Sequence, residues 1–159
     1  MIFVTVGTHE QQFDRLVKAV DELAKETGEE IFVQTGYCDY EPVHCKWSRF
    51  VPAGEMKAKF ESADVVITHG GPSSFIEAMA VGKIPIVVPR RAEFEEHVND
   101  HQVEFVEAVA DRMGGIIACY DVEDLAHCVE QALVAGSAAD YSSHNEEFCS
   151  DLKKLIESL

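Results

Sequence analysis

The sequence predicts a doubly wound α/β fold, in which helices cover both faces of a parallel sheet. Short apolar runs rich in β-branched residues alternate along the chain with segments whose apolar residues recur every three or four positions. Glycine or proline separates most of these segments, and neither an internal repeat nor a low-complexity tract interrupts the alternation. Because strands that alternate with helices pair in parallel through crossover connections, these observations favour one parallel sheet.

Strands are predicted where four to six apolar residues end at a glycine, proline or threonine, and helices where an apolar stripe has helical spacing. In chain order the predicted elements are a strand at 2–6, a helix at 13–24, a strand at 31–33, a loop at 37–48 with room for a short strand up to 51, a helix at 56–63, a strand at 64–68, a helix at 73–80, a strand at 84–89, a charged loop at 90–95, a helix at 98–109, a strand at 116–119, a helix at 122–133 and, after a polar link at 135–143, a C-terminal helix at 143–159.

The length and charge of the chain limit its organisation and its partners. Its 159 residues are enough for one well-buried domain, so we expect a single domain over 1–159. The formal net charge is -16, and no cluster of Lys or Arg interrupts the acidic balance. Nucleic acid and anionic membrane surfaces are therefore poor partners, although solubility alone would also explain the charge. No apolar run reaches the ~20 residues of a membrane span, which leads us to expect a cytoplasmic protein.

The most informative stretch is the strand, turn and helix at 64–80, which contains Thr68-His69-Gly70-Gly71-Pro72-Ser73-Ser74. A glycine pair between a buried strand and a helix start lets a ligand approach the backbone closely. The N–H groups and the positive end of the helix dipole then favour an anion. The stretch predicts a seat for a phosphate or diphosphate.

Glu77 lies about one and a half turns into that helix, on the side of the sheet edge where the turn lies. A carboxylate in this position repels phosphate but is a good acceptor for the hydroxyls of a ribose. An ordinary solvated helix glutamate is the alternative interpretation.

A second polar stretch, 89–102, follows the next predicted strand. Its many donors and acceptors suit the hydroxyls of a sugar. An exposed helix start whose acidic residues favour the positive dipole end is the simpler alternative. His97 and His101 have the spacing of a metal-ligand pair, but the stretch offers no third ligand or fitting motif, so we expect no metal site.

Several nucleotide-binding signatures are missing from the sequence. It contains no P-loop motif and no Gly-x-Gly-x-x-Gly after the first strand, which disfavours P-loop nucleotidases and nicotinamide-binding enzymes. It also contains no Asp-x-Asp pair. A transferase that neutralises a leaving diphosphate with N–H groups and a helix dipole is therefore favoured over one that uses a divalent metal.

Taken together, these motifs resemble the donor-binding, C-terminal half of glycosyltransferase family 28. The chain is most similar to the small catalytic subunits of two-part transferases that act in dolichol-linked oligosaccharide synthesis and in bacterial exopolysaccharide and capsule assembly. The resemblance covers residues 1–109 and is carried by Val4-Thr5-Val6-Gly7-Thr8, Thr68-His69-Gly70-Gly71-Pro72-Ser73-Ser74, Glu77-Ala78, Gly82-Lys83-x-Pro85, Val88-Pro89 and Glu96-His97-x-Asn99-x-His101-Gln102.

The resemblance implies the Rossmann-like C-terminal half of a GT-B glycosyltransferase, with a UDP-sugar as donor substrate and no cofactor or metal. It also implies roles for individual residues. The diphosphate would be bound by Gly70, Gly71, Ser73 and Ser74 above a floor of Gly7 and Thr8, and the ribose by Glu77. The uracil would contact the backbone at Phe50 and Val51, and the sugar would contact Glu96, His97, Asn99 and Gln102.

By the same resemblance, the activity is inverting transfer of a hexose or N-acetylhexosamine to a polyprenyl-diphosphate-linked acceptor in exopolysaccharide or capsule synthesis. A membrane-anchored partner subunit would bind that acceptor and hold this chain at the inner face of the membrane. The C-terminal helix at 143–159 is a candidate for docking the partner, although core packing explains its apolar stripe more simply.

The catalytic base is left open at this stage. His69 and His9 are the candidates in this chain, but His69 could instead donate to a phosphate oxygen, and the partner could supply the base. Two other functions also stay open. One is a non-catalytic accessory subunit that stabilises or activates a partner transferase, and the other is a sugar-nucleotide epimerase, which the length of the chain disfavours.

Overall fold

The structure, a computed structural model, describes residues 1–138 and 145–158. Its strands form one parallel sheet in the order β3-β2-β1-β4-β5-β6, the order of a Rossmann fold. The predicted doubly wound fold is therefore confirmed. The strand bounds are β1 Ile2–Thr5, β2 Ile31–Gln34, β3 Lys46–Ser48, β4 Val65–His69, β5 Ile86–Val88 and β6 Ile117–Ala118.

The helices cover both faces of the sheet. Their bounds are α1 Asp14–Thr27, α2 Ala53–Ser62, α3 Pro72–Ala80, α4 His101–Arg112, α5 Leu125–Ala138 and α6 Asn145–Ser158. Helices α1 and α5 pack on one face, and α2, α3, α4 and α6 pack on the other. Since side chains alternate along a strand, Val4 of β1 joins the first core while its neighbour Phe3 packs against Phe60 and Val66 on the second face.

The stretch between β5 and α4 differs from its prediction. We expected a helix from Val98, but α4 begins at His101, and Val98 is 78% exposed. The backbone N–H of His101 donates to Oδ1 of Asn99, and that of Ala92 donates to Oδ1 of Asp100. Because these short side chains bind nearby backbone, they hold the stretch in a turn that includes a 3₁₀ helix at Ala92–Phe94.

The predicted C-terminal helix is present as α6. Its residues Leu152 and Leu155 are buried in the core, whereas Ile156 is 40% exposed. The predicted polar link beyond Ala138 and the last residue, Leu159, lie outside the described residues. Among the helices of 1–138 and 145–158, none has both the length and the apolar character needed to cross a bilayer.

The loop between β2 and β3 is tied to α1 by one buried carboxylate. Asp21 accepts hydrogen bonds from the hydroxyl of Tyr40 at 2.6 Å and from the backbone N–H groups of Val43 and His44. We predict that Asp21→Asn lowers the free energy of unfolding by about 1–3 kcal/mol, because at least one donor loses its acceptor. Urea unfolding measures this loss. The exposed Asp39, changed to Asn as the control, should alter stability little, and an equal loss in both variants would contradict the prediction.

Candidate functional site

A pocket of about 690 Å³ opens at the carboxyl edge of the sheet, where the strand order reverses between β1 and β4. Ligands of doubly wound folds bind at this position, and the volume is in the range of small-molecule sites. The pocket is lined by Thr5, Gly7, Thr8, His9, Glu10, Gln34, Val51, Ala53, Met56, His69, Ser73, Ser74 and Glu77.

The N-terminus of α3 faces this pocket. Gly71 is the N-cap and Pro72 the first helical residue, and neither a capping side chain nor an acidic residue occupies the first turn. Ser73 and Ser74 of that turn line the pocket with their hydroxyls close to their own N–H groups. These uncapped donors and the helix dipole make an anion site. The N–H of Gly70, in contrast, already donates to Oε1 of Gln102 at 3.1 Å, so Gly70 contributes a close turn rather than a free donor.

The imidazole of His69 fills the space between two glycine backbones. A Cβ on Gly7 would lie 2.6 Å from Nε2 of His69, and a Cβ on Gly71 would contact the same nitrogen even more closely. Gly7 also has a φ of 78°, which favours glycine. Burial, followed by the positive charge of Arg90, lowers the pKa of His69 to about 3. His69 is therefore a neutral imidazole at physiological pH.

Sequence reasoning missed two residues of the pocket floor, Thr5 and Gln34. The hydroxyl of Thr5 donates to Oε1 of Gln34 at 2.7 Å and accepts from the N–H of Gly7 at 3.1 Å. Each is the last residue of its strand, β1 and β2, and that position at the carboxyl edge was the available signal.

The far end of the pocket is formed by Glu77 and the segment after β3. The Glu77 side chain is exposed in the pocket and makes no hydrogen bond or ion pair with the other described residues. Val51 lines the pocket beside α2. Phe50 is not among the lining residues; it is 45% exposed and packs edge to face against Tyr37. A carboxylate without a protein partner and the apolar side chain of Val51 thus both line the pocket.

Two residues expected at the sugar, Glu96 and Gln102, have other partners. Glu96 is fully buried, forms an ion pair with Arg15 at 2.8 Å and accepts from the N–H of Arg91. Gln102 uses its Oε1 to accept from the N–H groups of Gly70 and Arg90. Neither lines the pocket. The polar composition of this stretch reflects the bonds that fold it, and a search by residue type could not separate these bonds from ligand contacts.

Arg90, which we placed in a charged loop, is fully buried. Its guanidinium donates to the backbone carbonyls of Val6, Gln11, Gln12 and Glu96 at 2.8–3.1 Å. One side chain therefore joins the loop after β1 to the loop after β5. These are the two loops that carry His9 and His97.

His9 and His97 meet at the rim of the pocket. Their rings are stacked, with centroids 4.8 Å apart and planes inclined by 15°. His9 lines the pocket, whereas His97 contacts it through His9. Asn99 supports the pair, since its N–H donates to Nδ1 of His97 at 3.4 Å. Within the described residues, no group of three or more His, Cys, Asp or Glu side chains could hold a metal ion.

The model of the glycosyltransferase family 28 C-terminal domain matches residues 1–156. The chain belongs to this family. In Bdellovibrio bacteriovorus, a UDP-N-acetylglucosamine–N-acetylmuramyl-(pentapeptide) pyrophosphoryl-undecaprenol N-acetylglucosamine transferase is 32% identical over 76 residues, which are 48% of this chain and 20% of the relative.

Solved glycosyltransferases share the fold. SnogD from Streptomyces nogalater superposes with a TM-score of 0.60 at 19% identity over 99% of this chain and 43% of its own. CalG4, the calicheamicin glycosyltransferase, superposes with a TM-score of 0.67 at 14% identity over 95% of this chain and 38% of its own. MurG of Acinetobacter baumannii superposes with a TM-score of 0.58 at 17% identity over 98% of this chain and 49% of its own. The matched region is about a fifth of the curated relative and less than half of each of these structures. All of the structures are GT-B glycosyltransferases.

The buried neutral His69 makes stability depend on pH. In acid the unfolded chain protonates this imidazole below about pH 6.5 whereas the folded chain does not, so stability falls as the pH falls. We predict that His69→Gln makes this fall shallower by up to about 1.4 kcal/mol per pH unit between pH 6 and 4. Urea unfolding at several pH values measures the slope. His127→Gln, at an exposed helix position, is the control, and an unchanged slope in His69→Gln would contradict the prediction.

Proposed function

We propose that the pocket binds a UDP-sugar and that the chain is the donor-binding subunit of a glycosyltransferase. The single observation that carries the proposal is the uncapped N-terminus of α3 facing the pocket, with the unpaired carboxylate of Glu77 farther along the same helix. Gly71, Ser73 and Ser74 bind the diphosphate, and Gly7 and Thr8 border it. Glu77 accepts from the ribose hydroxyls, and the backbone at Phe50 and Val51 borders the uracil.

The reaction we propose is inverting transfer of a hexose or N-acetylhexosamine to a polyprenyl-diphosphate-linked acceptor. The leaving UDP is stabilised by the N–H groups and dipole of α3, so the step needs no metal. The name of the Bdellovibrio relative supports both a UDP-sugar donor and a lipid-linked acceptor. The sugar occupies the His9 end of the pocket, near His97 and Asn99. Exopolysaccharide or capsule assembly is the setting proposed, on the sequence resemblance given above.

A membrane-anchored partner subunit is also part of the proposal and would hold the chain at the inner face of the membrane. Its support is the resemblance to small subunits of two-part transferases. An apolar groove between α3, α4 and α6 is a suitable surface, since Ile156 is exposed there beside Phe105 and Gly70. The groove adjoins the turn after β4, so a partner seated on it would also border the donor site.

UDP binding without metal is the direct test. At 100 times its Kd in EDTA, we predict that UDP raises Tm by roughly 5–10 °C. Glu77→Ala should increase the Kd about 10- to 100-fold, because the ribose loses a charged acceptor. Glu130→Ala, at an exposed position of α5, is the matched control. An absent shift with UDP and UDP-sugars, or a strict requirement for Mg²⁺, would contradict the proposal.

Partner docking is tested by a point change, because a deletion after residue 143 would also remove the buried Leu152 and Leu155. We predict that Ile156→Asp reduces co-purification with the membrane protein encoded by the neighbouring reading frame at least tenfold. The cause is a charge placed in an apolar contact. UDP binding should stay intact. Leu133→Asp changes another exposed apolar residue, on the opposite face of the sheet, and is the control. Equal co-purification of both variants would refute this docking surface.

A further inference from the structure

The stacked imidazoles of His9 and His97 differ in which nitrogen is free. Nε2 of His9 lies 2.8 Å from Oε1 of Gln11, so Nε2 carries the proton and donates it to that carbonyl oxygen. The other nitrogen, Nδ1, has no hydrogen-bond partner in the described part of the chain, and the ring lines the pocket. His9 therefore lines the ligand space with one ring nitrogen that has no partner in the described part of the chain.

In His97 the nitrogen that makes a hydrogen bond is Nδ1 rather than Nε2. Its Nδ1 accepts the N–H of Asn99, so a proton added there would break that bond. Burial first, and then the positive charges of His9 and Arg90, lower the pKa of His97. His97 also reaches the pocket only through His9. Its ring is thus suited to support its neighbour rather than to accept a proton from a ligand.

His69, the other histidine of the pocket, is unsuited to proton transfer for a different reason. It is buried between Gly7 and Gly71, and its pKa is about 3. A base with so low a pKa takes up a proton poorly in a transition state near neutral pH. As a neutral side chain that lines the same pocket as Ser73 and Ser74, it fits the leaving diphosphate instead.

On the function proposed above, we infer that Nδ1 of His9 is the general base of the transfer and that His97 is its positioning residue. The acceptor hydroxyl oxygen forms a bond to the anomeric carbon as the bond from that carbon to the diphosphate oxygen breaks. The electron pair of the broken bond leaves with UDP. The hydroxyl proton moves to Nδ1 of His9, which later releases it to solvent.

The surroundings of His9 favour this role. Its charged and titratable neighbours are Glu10, which lines the same pocket, His97 above it, His69 across the pocket and the guanidinium of Arg90. Glu10 offsets the positive charge of a protonated His9. Arg90 binds the carbonyls of Gln11 and Gln12 and so fixes the backbone beside the ring. The stack with His97 and the hydrogen bond to Gln11 limit rotation of the ring, which lines the ligand space.

The experiment adds purified chain to membranes from source cells that lack it and measures transfer from labelled UDP-N-acetylglucosamine, UDP-glucose and UDP-galactose to lipid. We expect His9→Gln to reduce kcat at least 100-fold while the thermal shift by UDP is retained. The neutral form of His9 is the active one, so the wild-type rate falls in acid. This acidic limb should be absent from the residual activity of His9→Gln. Exogenous imidazole should restore turnover to His9→Gly.

Matched variants separate the roles. His97→Phe keeps an aromatic ring and should keep the acidic limb, whereas His97→Ala should lower kcat by loss of positioning. His127→Gln, at an exposed position of α5, should behave as wild type. An unimpaired His9→Gln, a loss of UDP binding in that variant, or an acidic limb abolished by His97→Phe would each overturn the inference. Loss of the UDP shift in the wild type would instead refute the donor site, whereas a UDP shift without transfer from any of the three donors would leave the donor site standing and overturn the inference about His9.

Discussion

The site depends on the guanidinium of Arg90. A buried arginine is costly to desolvate, and it is tolerated here because its N–H groups donate to four backbone carbonyls in the loops after β1 and β5. The ring of Phe13 lies 4.9 Å below it. These bonds hold the loops after β1 and β5 together, and the loops carry the two stacked histidines, His9 and His97. The ion pair of Arg15 with Glu96 reinforces the same junction.

The glycines of the two turns have a second reason to be glycine. Close approach of a ligand to the backbone was the expected reason, and the uncapped start of α3 agrees with it. The structure adds that the imidazole of His69 occupies the space where side chains of Gly7 and Gly71 would lie. The turn after β1 and the turn after β4 therefore close around one ring, and the floor of the pocket is built from both. The bond from Gly7 N–H to Thr5 extends this floor to Gln34 and β2.

The sequence was sufficient for the fold because its signals are local. Apolar runs, helical stripes and glycine stops give the elements, and alternation gives the parallel sheet. For the pocket, the turn at 69–71, the serines after it and Glu77 follow from one continuous motif. Glu96 was expected at the sugar, and its ion pair with Arg15 could not be foreseen, because the two residues lie 81 positions apart in the sequence. The burial of Arg90 was missed for a similar reason. Its partners are backbone carbonyls, which every residue type has, so the sequence does not mark them.

Two histidines of one pocket thus have different chemistry because their surroundings differ. His69 is enclosed by backbone and faces the positive charge of Arg90, so it stays neutral. His9 lies at the rim beside a carboxylate, with one nitrogen bound to Gln11 and the other open to the ligand. Different environments commonly divide proton-transfer and electrostatic roles between like side chains. In this fold the division follows directly from the topology, since β4 ends in the floor of the pocket and the loop after β1 reaches its rim.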